Sequence, residues 1–205
     1  MIIKLLRLKN SNNLLSEIGI FLFLLTLSFG GMMLKSVITK EAIIDESDLE
    51  YLQFGKIIPL LIIVPFFEEF IFRGFLNFER GKIYYVLSVI AVLFYVSMKI
   101  KMEISVIIII LSIILFLKKN WYKKMTDFIS DYLIVFVIIS SVSFGLLHFT
   151  NYEDFKFYNL LVIIPKILFG FFAAYIAIRH NIWVSFLYHF VKNLVPTLLI
   201  YITIG

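Results

Sequence analysis

The chain has 205 residues, with 61% hydrophobic, 18% aromatic and 16% charged residues, and is therefore far more apolar than a soluble domain of this length. Its net charge of +5 comes from short Lys and Arg clusters between apolar segments, a pattern that orients membrane proteins and does not indicate nucleic-acid binding. The absence of cysteine excludes disulfides, cysteine-type zinc clusters and cysteine-protease chemistry.

The N-terminus joins the basic sequence "MIIKLLRLKNSNN" to a long apolar segment, and this predicts an uncleaved signal anchor. Each membrane span needs about 20 apolar residues, so the pattern predicts an all-α, polytopic bundle of about seven transmembrane helices. The predicted spans are 14–34, 56–78, 82–98, 103–117, 131–149, 158–178 and 182–204. No repeat or linker divides them, so we expect one integral membrane domain over residues 1–205.

Loop charges predict the orientation of these spans in the cell membrane. The N-terminus and the loops "ERGK" and "KKNWYKK" are basic, whereas the segment after the first span and the loop "NYEDF" are acidic. Basic loops favour the cytoplasmic side, so we expect the N-terminus, Arg179 and His180 inside and the C-terminus outside. His180, which follows Arg179 in a loop, is expected to be solvated.

Three groups of polar residues interrupt the predicted spans, where inserting an ionisable side chain costs about 2.5 to 3.5 kcal/mol. The first group lies within "PFFEEFIFRGF", the second in "FGLLHF" and the third in "YHFVKN". Their cost makes them candidates for a functional site. In chain order, the candidates are Glu68, Glu69 and Arg73; Phe144 and His148; and His189 and Asn193.

The first group predicts one ion pair and one carboxylate without a local partner. Glu69 and Arg73 are four residues apart on one helix face, so we expect a buried ion pair that fixes helix packing. Glu68 points about 100° away around the helix axis and needs a partner from another helix, for which His148 and His189 are the candidates. A carboxylate in this position suits a general base.

The third group predicts two aligned hydrogen-bond donors. His189 and Asn193 lie four apart on one helix face, which is the arrangement that an oxyanion requires. The single-helix HExxH motif of zinc proteases is absent. Glu68, His148 and His189 from separate helices are an alternative ligand set for a divalent metal such as zinc, although we favour a metal-free or weakly metal-bound site.

Two other features have both a structural and a functional interpretation. Ser141 and His148 are seven residues apart on one face, but "SSVSFG" lacks the pattern of a strained nucleophile elbow, and small residues at a helix contact explain it better. Lys166 and Lys192 are expected to extend to the membrane interface. The functional alternative is that one of them binds a peptide carboxylate or neutralises the site.

The three groups together resemble the CAAX-protease and bacteriocin-processing (CPBP, or Abi) family of intramembrane proteases. The family pattern is EExxxR, FxxxH and HxxxN on three helices, and all three motifs occur here in that order between residues 65 and 193. The flanking sequences "PFFEEFIFRGF" and "NIWVSFLYHFVKN" also resemble those of the family. The resemblance implies a protease core over residues 56–204, here with two additional apparent spans between the first and second motifs.

This resemblance implies an endopeptidase that acts in the lipid bilayer on a small or membrane-associated peptide or a membrane protein. Glu68 and His148 would activate a water molecule, while His189 and Asn193 would stabilise the oxyanion. The family is often described as metalloproteases, so the resemblance allows either a glutamate-dependent or a metal-dependent site. The remaining motif residues would shape the site: Glu69, Arg73 and Phe144.

Two competing functions are a non-catalytic membrane protein, either partner-binding or conferring bacteriocin self-immunity, and a proton-coupled transporter. The intact motif set argues against a pure scaffold. A transporter predicts internal repeats or broken helices in matching halves, and the sequence shows none. With the predicted span limits, His148 would lie near the outer end of its span and His189 nearer the inner end, which leaves open the side to which the site opens.

Overall fold

The computed structural model describes residues 14–40, 57–99, 112, 119–151 and 156–204. These residues are mostly helical and contain no strand, which confirms the all-α class for the described part of the chain. The α-helices are α1 (Leu14–Thr39), α2 (Val64–Arg73), α3 (Lys82–Lys99), α4 (Lys119–Asp131), α5 (Leu133–Leu147), α6 (Leu160–Arg179) and α7 (Ile182–Ile204).

Three helical segments are long and apolar enough to cross a membrane, namely Leu14–Thr39, Phe157–Arg179 and Ile182–Leu199. A fourth crossing is obtained if α4 and α5, which are bent by 83°, count as one span. The predicted number of seven is therefore not confirmed by the described residues. Apart from Ser112, the predicted span 103–117 lies outside them, as does the basic N-terminal sequence.

The predicted span 56–78 is broken into three kinds of helix within its described part. A π-helical turn over Pro59–Ile63 leads into α2, and a 3₁₀ helix over Gly74–Arg80 follows. Proline at the start of the turn cannot donate a backbone hydrogen bond. Gly74 is required by close packing, because a Cβ there would lie 1.8 Å from Ser88 Oγ of α3. These two changes of helix type limit α2, which carries the charged residues, to ten residues.

Helix α6 is central and packs against α1, α5 and α7. A Cβ on Gly170 would approach within 2.9 Å of Ser141 Cα, and a Cβ on Gly145 would lie 2.9 Å from the Ile167 backbone nitrogen. Helices α5 and α6 therefore touch nearly backbone to backbone, as small residues permit in membrane bundles. The assignment of Ser141 to a helix contact is confirmed, since its side chain is buried there.

A buried carboxylate connects α1 to the end of α6. Glu17, which is 2% exposed, lies 3.0 Å from Arg179 Nε and 3.0 Å from His180 Nε2. The prediction that His180 is merely solvated is therefore wrong, because its ring contacts a carboxylate 163 positions away in the sequence. The contact brings the start of α1 and the α6–α7 turn to one end of the bundle, in agreement with their predicted common side.

Candidate active site

Glu69 is the centre of a buried polar cluster that joins α2 to α7. Its Oε1 atom lies 2.9 Å from Arg73 Nη1, so the predicted ion pair is confirmed. From α7, Ser185 Oγ donates to Glu69 Oε2 at 2.6 Å, and His189 Nδ1 lies 2.9 Å from Glu69 Oε1. All four residues are buried. Each oxygen of the Glu69 carboxylate therefore has a partner. These contacts fix the rotation of α7 about its own axis relative to α2.

His189 lies between two adjacent carboxylates. Its Nε2 atom is 3.5 Å from Oε2 of Glu68, whose side chain is 17% exposed. An ionised carboxylate can only accept a hydrogen bond, so the contact with Glu69 requires that Nδ1 of His189 carries a proton. The other ring nitrogen then faces Glu68. His189 is thus the partner from another helix that the isolated Glu68 was expected to need.

Phe144 of α5 brings the second motif to the other two. Its buried ring lies 5.2 Å from the ring of His148 and 5.5 Å from the ring of His189, measured between centroids. The guanidinium carbon of Arg73 lies 4.2 Å from the same ring centroid. His148 Nδ1 is 2.9 Å from the Phe144 carbonyl oxygen, which can only accept, so Nε2 of His148 carries the lone pair. The three predicted motifs meet around one phenyl ring.

The contacts of Phe144 place His148 and His189 at a common level in the bundle. Both imidazole centroids lie close to the Phe144 ring centroid, at 5.2 and 5.5 Å, although the sequence-based span limits put His148 near the outer end of its span and His189 nearer the inner end of its own. Helix α5 has 15 residues and ends at Leu147, so His148 directly follows its last residue.

A pocket of about 160 Å³ opens beside this cluster, between α1, α6 and α7. Asn193, one helical turn after His189, lies in its wall together with Lys166 and Lys192. The interface position expected for Lys192 is wrong, because its Nζ atom lies 4.4 Å from the ring centroid of the buried Phe169. The other lining residues are Leu25, Ser28, Phe29, Met32, Val162 and Pro196.

The proposed metal ligands do not form a complete set. Across the described ranges, no group of three or more His, Cys, Asp or Glu side chains is arranged to hold a metal ion. Glu68 and His189 approach each other, but His148 does not join them as a third ligand. Catalytic zinc sites use three protein ligands, and the contact between Glu68 and His189 supplies two of them.

Ser185 is the polar residue of the cluster that sequence reasoning missed. It precedes His189 by four positions in "SFLYH" and therefore lies on the same helix face. Its Oγ also lies 3.0 Å from the Ala173 carbonyl of α6. The four-residue spacing was the available indication, but a serine in a membrane helix is usually explained by helix packing alone.

Comparison with known proteins gives one match to a family. A family model described as Type II CAAX prenyl endopeptidase Rce1-like matches residues 51–195. The matched region includes all three motifs and both pocket lysines. Neither the curated proteins nor the solved structures gave a match.

Proposed function

The chain belongs to the Type II CAAX prenyl endopeptidase Rce1-like family, and we propose that it is a membrane-embedded endopeptidase in which Glu68 activates water. Family membership implies a membrane peptidase; the substrate that we propose is a small or membrane-associated peptide or a membrane protein. The observation that carries the mechanism is the 3.5 Å contact between Glu68 and His189. We also propose a single integral membrane domain, 1–205, with its protease core in 56–204.

The proposed reaction starts with a water molecule between Glu68 and His148. Because His148 donates Nδ1–H to the Phe144 carbonyl, its Nε2 can accept a hydrogen bond from this water. Glu68 takes a proton from the water as the water oxygen bonds to the substrate carbonyl carbon. When the carbon–nitrogen bond breaks, Glu68 returns the proton to the leaving amine. Hydrolysis then leaves a carboxylate on one product and an amine on the other.

The negative charge that develops on the substrate carbonyl oxygen needs hydrogen-bond donors aimed at it. We assign this role to His189 and Asn193, one turn apart on α7. His189 donates through Nε2 when that atom carries a proton, while Glu69 accepts from Nδ1. The pairing parallels serine hydrolases, in which an acid holds the histidine in one tautomer and orientation. Glu69 is accordingly a positioning residue.

Arg73 and Phe144 shape the site in this proposal without touching the substrate. Arg73 balances the charge of Glu69 at 2.9 Å, and the face of the Phe144 ring covers its buried guanidinium, which a cation–π contact stabilises. The same phenyl ring makes T-shaped contacts with both imidazoles. Loss of either residue would disturb the geometry of His148 and His189 and leave the proton-accepting groups present.

We propose that side chains transfer the protons without a tightly bound metal ion. Within the described part of the chain, Glu68 and His189 have no third His, Cys, Asp or Glu ligand beside them in a metal-binding arrangement. Those two residues are already needed for proton transfer and oxyanion binding. No step of the proposed reaction uses zinc or another divalent metal.

The test is peptide profiling of membranes from cells that carry wild-type protein, Glu68→Gln or Glu17→Gln. Glu17 is a matched control because it is also a buried carboxylate beside an arginine and a histidine, but belongs to the other cluster. We expect products that appear with wild type and Glu17→Gln and disappear with Glu68→Gln at equal protein level. Identical profiles for wild type and Glu68→Gln would contradict the proposal and favour a non-catalytic membrane protein.

A further inference from the structure

Lys166 and Lys192 bring two basic side chains into one small pocket inside the helix bundle. Among the described residues, neither lysine forms an ion pair with a carboxylate. Two ammonium groups close together in an apolar environment repel each other and are costly to desolvate. An anion in the pocket would remove both penalties.

Lys192 lies far from either end of α7, whereas Lys166 is the seventh residue of α6. Lys192 follows Ile182, the first residue of α7, by ten positions, and Lys166 precedes Arg179, the last residue of α6, by 13 positions. At 1.5 Å per residue they lie roughly 15 and 20 Å from the shared α6–α7 end. They are therefore at comparable depth, and Lys192 is near the middle of its helix.

We propose that the Lys166–Lys192 pocket binds a carboxylate of the peptide substrate and thereby positions the peptide beside Glu68. This inference rests on the proposed endopeptidase function. Glu68 contacts His189, which lies one helical turn before the pocket residue Asn193, so a bound carboxylate would lie near the acid that activates water. Asn193 lines the same pocket and follows His189 by one turn, which makes the pocket continuous with the candidate active site.

The remaining chemistry of the pocket suits the end of an apolar peptide. Its volume of about 160 Å³ is of the order that admits a benzene-sized molecule, and much of its wall is aliphatic or aromatic. Phe169 supports the Lys192 ammonium through the face of its ring and leaves N–H donors for a ligand. A carboxylate with an adjoining apolar side chain satisfies both the charged and the apolar parts of this wall.

The test measures binding separately from cleavage, with the full chain in detergent and its thermal unfolding as readout. The probes are acetyl-Leu-Leu with a free C-terminal carboxylate, the same peptide as its C-terminal amide, and acetyl-Leu-Glu amide, which carries only a side-chain carboxylate. We expect the free acid to raise the unfolding temperature in wild type and the Leu-Leu amide to have little effect. Stabilisation by the Glu peptide would extend the site to side-chain carboxylates.

Variants locate the effect in the pocket. Lys166→Met and Lys192→Met should each weaken binding of the free acid about tenfold or more, because each removes a charged hydrogen-bond donor. Lys192→Arg should retain most of the affinity. Lys123→Met is the control, since this exposed lysine of α4 does not line the pocket. Methionine keeps the length and apolar stem of lysine, so the folded protein should not lose stability.

Glu68→Gln separates this inference from the proposed function. If it abolishes cleavage and still binds the free acid, both proposals stand, whereas retained cleavage combined with lysine-dependent binding contradicts only the role of Glu68. Equal stabilisation by acid and amide, no stabilisation by either, or unchanged binding after both lysine substitutions would overturn the carboxylate site. Lysine-dependent stabilisation by vesicles of an anionic phospholipid, without any by the peptide acid, would instead assign the pocket to lipid phosphate and also overturn it.

Discussion

Two clusters of the same three residue types occupy different parts of this bundle. Glu69 contacts Arg73 and His189, while Glu17 contacts Arg179 and His180. The Glu17 cluster uses a single nitrogen, Nε2 of His180, for both carboxylate oxygens, and that imidazole is 37% exposed.

In the Glu69 cluster the histidine is 2% exposed and its two nitrogens face different acids. Glu69 holds Nδ1, and Glu68 faces Nε2. A buried acid, arginine and histidine are therefore enough to tie helices together. The additional carboxylate, the second imidazole of His148 and the adjoining pocket distinguish the candidate active site from a structural clamp.

The largest difference between the clusters is expected for Glu68→Gln. The amide keeps the shape of glutamate but cannot accept a proton, so turnover should fall about 10² to 10⁴-fold. The measurement is the cleavage rate of a peptide found by membrane profiling, together with thermal unfolding in detergent. Glu17→Gln should retain the rate per folded molecule. Equal rates for Glu68→Gln and wild type would remove the distinction between the clusters.

Glu69→Gln should lower both stability and activity. It leaves Arg73 buried without its counter-ion, and breaking a buried ion pair in this way costs about 3 to 5 kcal/mol. Glu17→Gln should cost less, about 1 to 3 kcal/mol, because His180 retains access to solvent. Thermal unfolding of the two variants under the same detergent conditions checks the order. A larger loss for Glu17→Gln would show that the Glu17 clamp is the principal structural link.

Asn193→Ala tests whether Asn193, one helical turn after His189 of the Glu69 cluster, stabilises the oxyanion. Loss of one oxyanion donor should reduce turnover about 10² to 10³-fold with little change in stability. Asn181→Ala is the matched control, because the Asn181 side chain accepts from the Val184 backbone nitrogen at 3.0 Å near the Glu17 cluster. That change should cost about 1 kcal/mol of stability and leave turnover nearly unchanged. Equal turnover for the two variants would argue against the oxyanion role.

The smallest effect is expected from chelation. With side chains alone transferring protons, prolonged treatment with a chelator followed by dialysis should leave most of the peptidase activity. Glu68→Gln provides the inactive reference in the same assay. Stoichiometric zinc in the purified active protein, lost together with activity and restored with it, would refute the metal-free mechanism and require a third ligand in the reactive cluster.

The sequence predicted the local parts of the site well. The four-residue spacing of Glu69 and Arg73 was sufficient for their ion pair, because a helix fixes neighbours at that spacing. The three motifs also identified the family, and the match over 51–195 confirms that resemblance. Spacing within one helix can specify such features without knowledge of any other helix.

Contacts between helices were harder to predict, because they depend on how each helix is rotated and where it ends. His189 faces both Glu68 and Glu69 only through the rotation of α7 against α2. The contacts of His148 and His189 with one phenyl ring were not expected from their positions in the predicted spans, and the pairing of His180 with Glu17 joins residues 163 positions apart. Hydropathy gives the approximate position of a helix and carries no information about these rotations.

The 83° bend between α4 and α5 has a consequence for the environment in which the protein should be studied. If α5 runs across the bilayer, α4 must run almost along its surface, with the exposed Lys123 and Lys124 at headgroup level. Anionic lipids would then attract α4, which the bend joins to α5, the helix that His148 directly follows. With that orientation we expect headgroup composition and lateral pressure to affect the cleavage rate, which a comparison of rates in a neutral micelle and in a charged bilayer would measure.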